Sequence, residues 1–186
     1  KTSGIIDLKY NFETEDLFFY KNLMEVSSEN HTKIYDNSNL YQLEKFKYLI
    51  DNYELKGENL LISSNYKLPN NDKFYFSSAI ININSLDFVA KDTEIKIHKS
   101  IFNDPNNDPR LKGVSSVKKG NLTTVQKGIF TSCAKNDDCP PWSIQADKII
   151  HDKKNKKLIY DNATLKLYNI PVFYFPKFFH PDPTVK

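Results

Sequence analysis

The feature that most constrains this chain is a period of two. In Trp142-Ser143-Ile144-Gln145-Ala146 the apolar residues fall on every second position, and Thr164-Leu165-Lys166-Leu167-Tyr168 and Glu94-Ile95-Lys96-Ile97-His98 repeat the pattern. Ala79, Ile81 and Ile83 likewise share one face of Ala79–Asn84. Successive side chains on a strand point to opposite faces, so this alternation predicts half-buried β-strands. The segment that competes as a helix is Leu40–Ile50, where Leu43, Phe46 and Lys47 stand at near-helical spacing. Composition favours strands: Phe occurs 13 times and Tyr 11 times, whereas Gly occurs only 5 times. Aromatic residues suit a pleated surface, and the abundant Asn suits corners.

A weak repeat links the strands. Asp36-Asn37-Ser38-Asn39-Leu40, Asp51-Asn52-Tyr53-Glu54-Leu55 and Asp161-Asn162-Ala163-Thr164-Leu165 all read Asp-Asn-x-x-Leu, with Lys91-Asp92-Thr93-Glu94-Ile95 as a looser copy. Short Asp and Asn side chains bond nearby backbone groups, which makes each copy a polar corner between strands. Strand–corner–strand units cannot bury their apolar faces singly, so the expected product is all-β: a jelly roll, a short solenoid or a sandwich of stacked antiparallel strands. Two segments depart from the pattern. Residues 102–120, with Asp104-Pro105-Asn106-Asn107-Asp108-Pro109, read as an irregular insertion, and a calcium loop is disfavoured because the turn glycine and the final bidentate Glu are missing. From residue 169 to residue 186 the chain is rich in proline and aromatics, and such a run suits an extended exit segment better than a central strand.

Charge and length exclude several functions. The 186 residues carry 26 basic and 23 acidic side chains, a formal +3, and the basic residues are almost all Lys. Nucleic-acid binding is not expected, since basic residues do not cluster with stacking aromatics; the one dense run, Lys153–Lys157, reads as a solvated turn. No stretch approaches the ~18 consecutive apolar residues of a membrane helix. No Met precedes Lys1 and no charged-then-apolar leader opens the chain, so it reads as a piece of a longer protein. Catalysis is not expected. His31, His98, His151 and His180 show no metal spacing, no phosphate loop or nucleophile elbow is present, and no cofactor is implied. Cys133 and Cys139 flank a polar loop, within 131–141. A local disulfide there would remove about 2–2.5 kcal/mol of denatured-state entropy and imply an oxidising compartment. The alternative is that each thiol pairs outside this chain.

The C-terminal third carries a more specific pattern: Cys139-Pro140-Pro141-Trp142-Ser143-Ile144-Gln145-Ala146, Asp161-Asn162-Ala163-Thr164-Leu165, Ile170-Pro171-Val172-Phe173-Tyr174-Phe175-Pro176 and His180-Pro181-Asp182-Pro183-Thr184-Val185-Lys186. It resembles the LptD family of LPS-assembly (organic solvent tolerance) proteins, where the periplasmic domain joins the barrel. Asn169 and Lys177 depart from the family's usual Gly and Tyr. The tight match spans about 50 residues, and the preceding part is similar only as an OstA-like strand repeat. The resemblance implies an OstA-like jelly roll at 1–168, open between its sheets, and a linker at 169–186 marked by Pro171, Tyr174, Pro176, His180, Pro181 and Pro183, leading to an outer-membrane barrel missing from this sequence. It implies a periplasmic site attached to the outer membrane, with lipopolysaccharide as cargo. The implied partners are an LptA-like bridge protein that adds a strand to the sheet, and an LptE-like lipoprotein. Candidates for an inward, lipid-facing slot are Phe74, Phe76, Ile81, Ile83, Phe88, Ile95, Ile97, Trp142, Ile144, Leu165 and Leu167. The competing expectation is a β-solenoid or sandwich with a closed core, acting as a surface adhesion or protein-interaction module.

Overall fold

The computed structural model describes residues 2–6, 9–69, 71–97, 108–133 and 140–181. Among these the chain forms β1 (Thr2–Ile6), β2 (Tyr10–Thr14), β3 (Phe18–Tyr20), a single 3-10 turn at Lys21–Leu23, β4 (Glu25–Ser28), β5 (Thr32–Tyr35), β6 (Asn39–Leu43) and β7 (Lys45–Leu49). Longer strands follow: β8 (Glu54–Ser64), β9 (Lys73–Asn82), β10 (Phe88–Lys96), β11 (Arg110–Lys119), β12 (Leu122–Thr131), β13 (Trp142–Asp152), β14 (Lys157–Leu167) and β15 (Ile170–Pro181). All pairings are antiparallel, and the sheet does not close on itself. The fold is therefore all-β, an open jelly-roll-like sandwich.

From β8 to β15 each strand pairs with the next, and β8, β9, β10, β12, β13 and β14 are each bent at the middle. The bend has a sequence form. Residues i and i+3 are buried while the two between them are exposed or half-exposed, as in Gly57-Glu58-Asn59-Leu60, Phe76-Ser77-Ser78-Ala79, Ala90-Lys91-Asp92-Thr93, Val125-Gln126-Lys127-Gly128, Ala146-Asp147-Lys148-Ile149 and Tyr160-Asp161-Asn162-Ala163. A flat strand would send i and i+3 to opposite faces. Two consecutive outward residues reset the parity, so both halves of the strand keep their apolar side chains on the concave side. In β8, β10, β12 and β14 the bend includes a residue in the left-handed region: Asn59, Asp92, Lys127 and Asn162, with φ of 48°, 47°, 48° and 52°. Asn and Asp tolerate that conformation better than most side chains do. The bends line up across the sheet and are tied on the convex side by hydrogen bonds from Ser77 to Asp92 (2.6 Å), from Asn162 to Asp147 (2.9 Å) and from Tyr174 to Asn162 (3.0 Å).

The result is one sheet folded along a line into two leaves. At the crease each strand places one small residue against one larger one: Gly57 with Leu60, Ala79 with Phe76, Gly128 with Val125, Ala146 with Ile149, Ala163 with Tyr160. Where β10 meets β11 the crease is polar instead, and the buried hydroxyls of Thr93 and Ser116 bond at 2.6 Å. The small partners are required by space. A Cβ on Gly128 would lie 2.5 Å from Ile149 Cδ1, and one on Gly113 would lie 2.2 Å from Val125 Cγ1.

At β8 the leaves part. The second half of β8 pairs with β6 and the first half with β7. The first leaf continues through β6, β5, β2 and β1, and the second through β7, β4 and β3. Segment 40–50 is thus two strands joined through Glu44, and the helical alternative does not hold. Leu43 and Phe46 are both buried because Leu43-Glu44-Lys45-Phe46 is another bend. Between the parted leaves Tyr10, Phe12, Ile34, Tyr41 and Leu43 pack with Phe46, Tyr48 and Leu55, and the Tyr10 hydroxyl donates to the Ile83 carbonyl at 2.9 Å. Each such buried side chain contributes roughly 1.5–3 kcal/mol. The far end of the crease is closed by hydroxyls. Thr14 and Ser28 bond at 2.8 Å, Thr32 donates to Thr14 at 3.0 Å, and Ser28 donates to Asp16 at 2.5 Å. Those bonds to Ser28 first, then to Asn30, hold the Asp16 carboxyl below the ordinary carboxylate range.

Two further expectations meet the structure differently. Arg110–Lys119, read from sequence as part of an irregular insertion, is a regular strand paired on both sides. Its neighbours 101–107, with the Asp104–Asn106 part of the rejected calcium loop, lie outside the described residues. The Pro-rich segment after Asn169 is, as far as Pro181, the end strand of the sheet. Proline is tolerated there because one side of an end strand has no ladder to complete. Pro176 stands at the bend opposite Asn162, where the ladder is interrupted between Asp161↔Lys177 and Ala163↔Phe175. Pro183 lies outside the described residues.

Candidate functional site: a trough between the leaves

Cross-strand register builds one inward row on each leaf. On the first leaf the row runs from Phe173 on β15 through Ile144, Leu111 and Phe74 to Phe12 on β2, each residue standing opposite the next strand's member. The matching row of the second leaf starts at Tyr48 and Leu55 and passes Ile81 and Phe88. It turns polar at Lys118, Thr123 and His151, then returns to Leu158 and His180. The leaves diverge from the crease, and the space between these rows is an open trough of about 490 Å³. That volume is in the range of cavities that enclose drug-sized ligands.

Apolar side chains dominate its walls. Ile62, Phe74, Ile95, Ile97, Leu111 and Phe130 come from the first leaf, and Ile81, Phe88, Val125, Ile149, Leu158 and Tyr160 from the second. Polar groups stand at the rims: Asn39, Ser64 and Asp72 on the first leaf, Lys118, His151, Lys153 and Lys156 on the second. Burial pushes the phenol of Tyr160 well above its ordinary value, so it lines the wall as a neutral group. Its hydroxyl bonds His180 Nε2 at 2.9 Å while the rings stack at 5.5 Å, which satisfies the polar tip. Lys118, only 19% exposed at its side chain, is held below the ordinary ammonium value chiefly by desolvation, with the like charge of Lys153 adding to it and Asp87 opposing.

Of the eleven inward candidates, Phe74, Ile81, Phe88, Ile95 and Ile97 line the trough. Phe76 and Ile83 are buried within the packing beside it, the Phe76 ring tilted against Phe88 with centroids 5.2 Å apart. Trp142 and Ile144 pack half-buried against the C-terminal cluster, with Trp142 6.0 Å from Phe130. Leu165 is half-buried, and Leu167, near the end of β14, is 44% exposed. Sequence reasoning missed Leu111, Val125, Phe130, Ile149, Leu158 and Tyr160. Their alternation was visible, but which strands face one another was not. It also passed over Lys118; the Lys153–Lys157 run, read as a solvated turn, forms an exposed turn at 153–156 between β13 and β14, whose Lys153 and Lys156 reach the trough's rim. Cys133 is half-buried with its thiol 3.6 Å from the Trp142 carbonyl, and its expected disulfide partner Cys139 lies outside the described residues. Among the linker-motif residues, Pro171, Tyr174 and Pro176 lie exposed on β15, while His180 turns inward onto Tyr160 and Phe178. The described residues hold no group of three His, Cys, Asp or Glu able to bind a metal ion.

A stretch of 54 residues, 29% of the chain, is 39% identical to a protein of Sodalis glossinidius, 37% to one of Yersinia pestis and 35% to one of Salmonella typhi. All three are LPS-assembly protein LptD. The resemblance to LptD read from the sequence is therefore found again over that stretch. The matched stretch spans 7% of the length of these LptD proteins. No family model matches the chain.

Proposed function

We propose that this chain is the lipopolysaccharide-handling β-module of an LptD-like protein, which shelters acyl chains in the trough between its leaves and passes them along the crease. The observation that carries the proposal is the trough itself: apolar over most of both walls, open to solvent along its mouth, and polar mainly toward its rims. Acyl chains need a water-free surface and no covalent chemistry, because apolar burial alone supplies the driving force. Beside Lys118, Thr123 and His151 the second wall keeps an apolar line through Val125, Ile149 and Tyr160, which a tail would follow from strand to strand. A closed-core interaction module, the alternative, calls for no such opening.

The same reading assigns roles to the sheet ends. β1 and β3 end the two leaves on one side and β15 ends the sheet on the other. An unpaired strand offers a row of backbone donors and acceptors to an incoming strand. An LptA-like bridge protein would pair at the β1 side, and β15 would lead toward an outer-membrane barrel with its LptE-like partner. The module would then work in the periplasm. No helix among the described residues is long and apolar enough to cross a membrane.

The test is photo-crosslinking in cells. A photoreactive side chain at Phe74 or Ile97 is expected to capture lipopolysaccharide, and one at Val114, exposed on the convex face, is not. Equal capture at both positions, or none at Phe74 and Ile97 in a folded protein, refutes the proposal.

A further inference from the structure

The two rims of the trough differ in charge. Residues that line it from the first leaf supply Asn39, Ser64 and Asp72, whereas every lysine lining it (Lys118, Lys153, Lys156) belongs to the second leaf. Two turns build that rim. Residues 118–121 and 152–157 contain six lysines and one aspartate, a formal +5 that Asp87, accepting from the Gly120 backbone at 2.8 Å, reduces to +4, while the whole chain carries +3. The aspartate within the turns, Asp152, is engaged within its own turn, accepting from the Asn155 backbone at 2.9 Å and from its side-chain amide at 2.7 Å. Lys118 is the unusual member. It occupies an inward position in the row that holds Ile81 and Phe88, its ammonium donates to the Leu86 carbonyl at 2.8 Å, and Asp87 stands 4.0 Å away. A half-buried lysine at the mouth of an apolar trough is costly to keep there, and the exposed lysines of the neighbouring turn add like charge beside it. An anion between them offsets both effects.

We infer that the rim formed by the β11–β12 and β13–β14 turns is a phosphate-binding edge, which holds the phosphorylated head of an amphiphile while its tails lie in the trough. The inference rests on the trough reading above and adds an orientation: the head faces the second leaf, never the first. Ammonium groups act on phosphate as point charges, and their partly desolvated setting leaves the attraction less screened than on an open surface.

The test uses the 186-residue chain and three probes: bisphosphorylated lipid A, the same lipid stripped of phosphate, and inorganic phosphate. The variant K118Q/K153Q/K156Q is compared with wild type and with K45Q/K56Q/K73Q, which removes three lysines exposed elsewhere; thermal unfolding midpoints establish that both variants are folded. The rim variant is expected to bind bisphosphorylated lipid A roughly tenfold more weakly, with a shallower salt dependence. Its affinity for the stripped lipid should be unchanged, and the control variant should match wild type. Equal affinity of the rim variant and wild type for bisphosphorylated lipid A overturns the inference and leaves the trough reading standing. So does wild type that binds the stripped lipid as tightly as the phosphorylated one. Inorganic phosphate bound as tightly as lipid A refutes the amphiphile head in favour of a free-phosphate site. Failure of wild type to bind either lipid overturns the trough reading and the rim together.

Discussion

Replacing Gly128 by Ala tests the crease directly. The backbone at Gly128 does not lie in the left-handed region, so Ala is conformationally allowed and on that ground would stabilise by about 0.5–1 kcal/mol. Space opposes it. The new Cβ would stand 2.5 Å from Ile149 Cδ1 and 2.8 Å from its Cγ1, about an ångström inside ordinary carbon contact. Ile149 is 1% exposed and stands between Val125 and Tyr160 on the neighbouring strands, so relief requires its side chain to leave that packing and swing toward the trough. Overpacking of this kind costs about 1–3 kcal/mol. The net expectation is a loss of roughly 1–2 kcal/mol, read from urea unfolding followed by fluorescence of the single tryptophan, Trp142. Ile149→Ala removes both clashing atoms. Alone it should cost about 2–5 kcal/mol, but at least ~1 kcal/mol less in the Gly128→Ala background. A neutral Gly128→Ala, or strictly additive single and double variants, would mean that the two leaves do not meet at this point.

Other consequences follow from named groups. Burial raises the phenols of Tyr41 and Tyr160 above their ordinary value of 10.0, so both stay protonated in the folded protein after the unfolded chain has begun to ionise. Their contribution is fully present below pH about 10 and is lost as pH rises beyond it, so Tyr160→Phe should flatten the alkaline decline in unfolding free energy; an unchanged slope contradicts this. Ser28→Ala removes the first hydrogen bond that depresses the Asp16 carboxyl, so NMR titration should place Asp16 higher, and the buried bond to Thr14 should be lost at about 1 kcal/mol. Because a depressed carboxyl stabilises above its unfolded value and loses that contribution as pH falls, the variant should also show less acid-induced loss. At the left-handed bend residue Asn162, Gly should be tolerated on the backbone whereas Val should cost about 1–2 kcal/mol, measured by thermal unfolding.

The bends explain which sequence signals were readable. Alternation on either side of each bend is local and set the strand assignment correctly, including Ala79, Ile81 and Ile83 on one buried face. The bend itself disguises a strand. Its i and i+3 burial is the spacing of a helix, which is why Leu43 and Phe46 competed as one. The Asp-Asn-x-x-Leu copies also divide by role. Asn162 and Asp92 bend continuous strands, whereas residues 36–39 and 51–53 make turns between strands.

For the trough, alternation told which face of a strand turns inward but not how far along the strand a residue lies from the crease. Phe76 and Phe74 share a face, yet Phe76, beside the bend, is packed solid while Phe74, two residues on, reaches the open space. The lysine turn shows the same limit: the basic run is solvated, as it reads, but only the fold brings the neighbouring hairpin's Lys118 beside it. The amino-acid order alone determined that this chain makes strands with one wet face, because side-chain direction follows from the nearest neighbours in the chain. Only the folded sheet decided where those faces separate, since the width of the trough depends on residues from strands far apart in sequence meeting at a common crease.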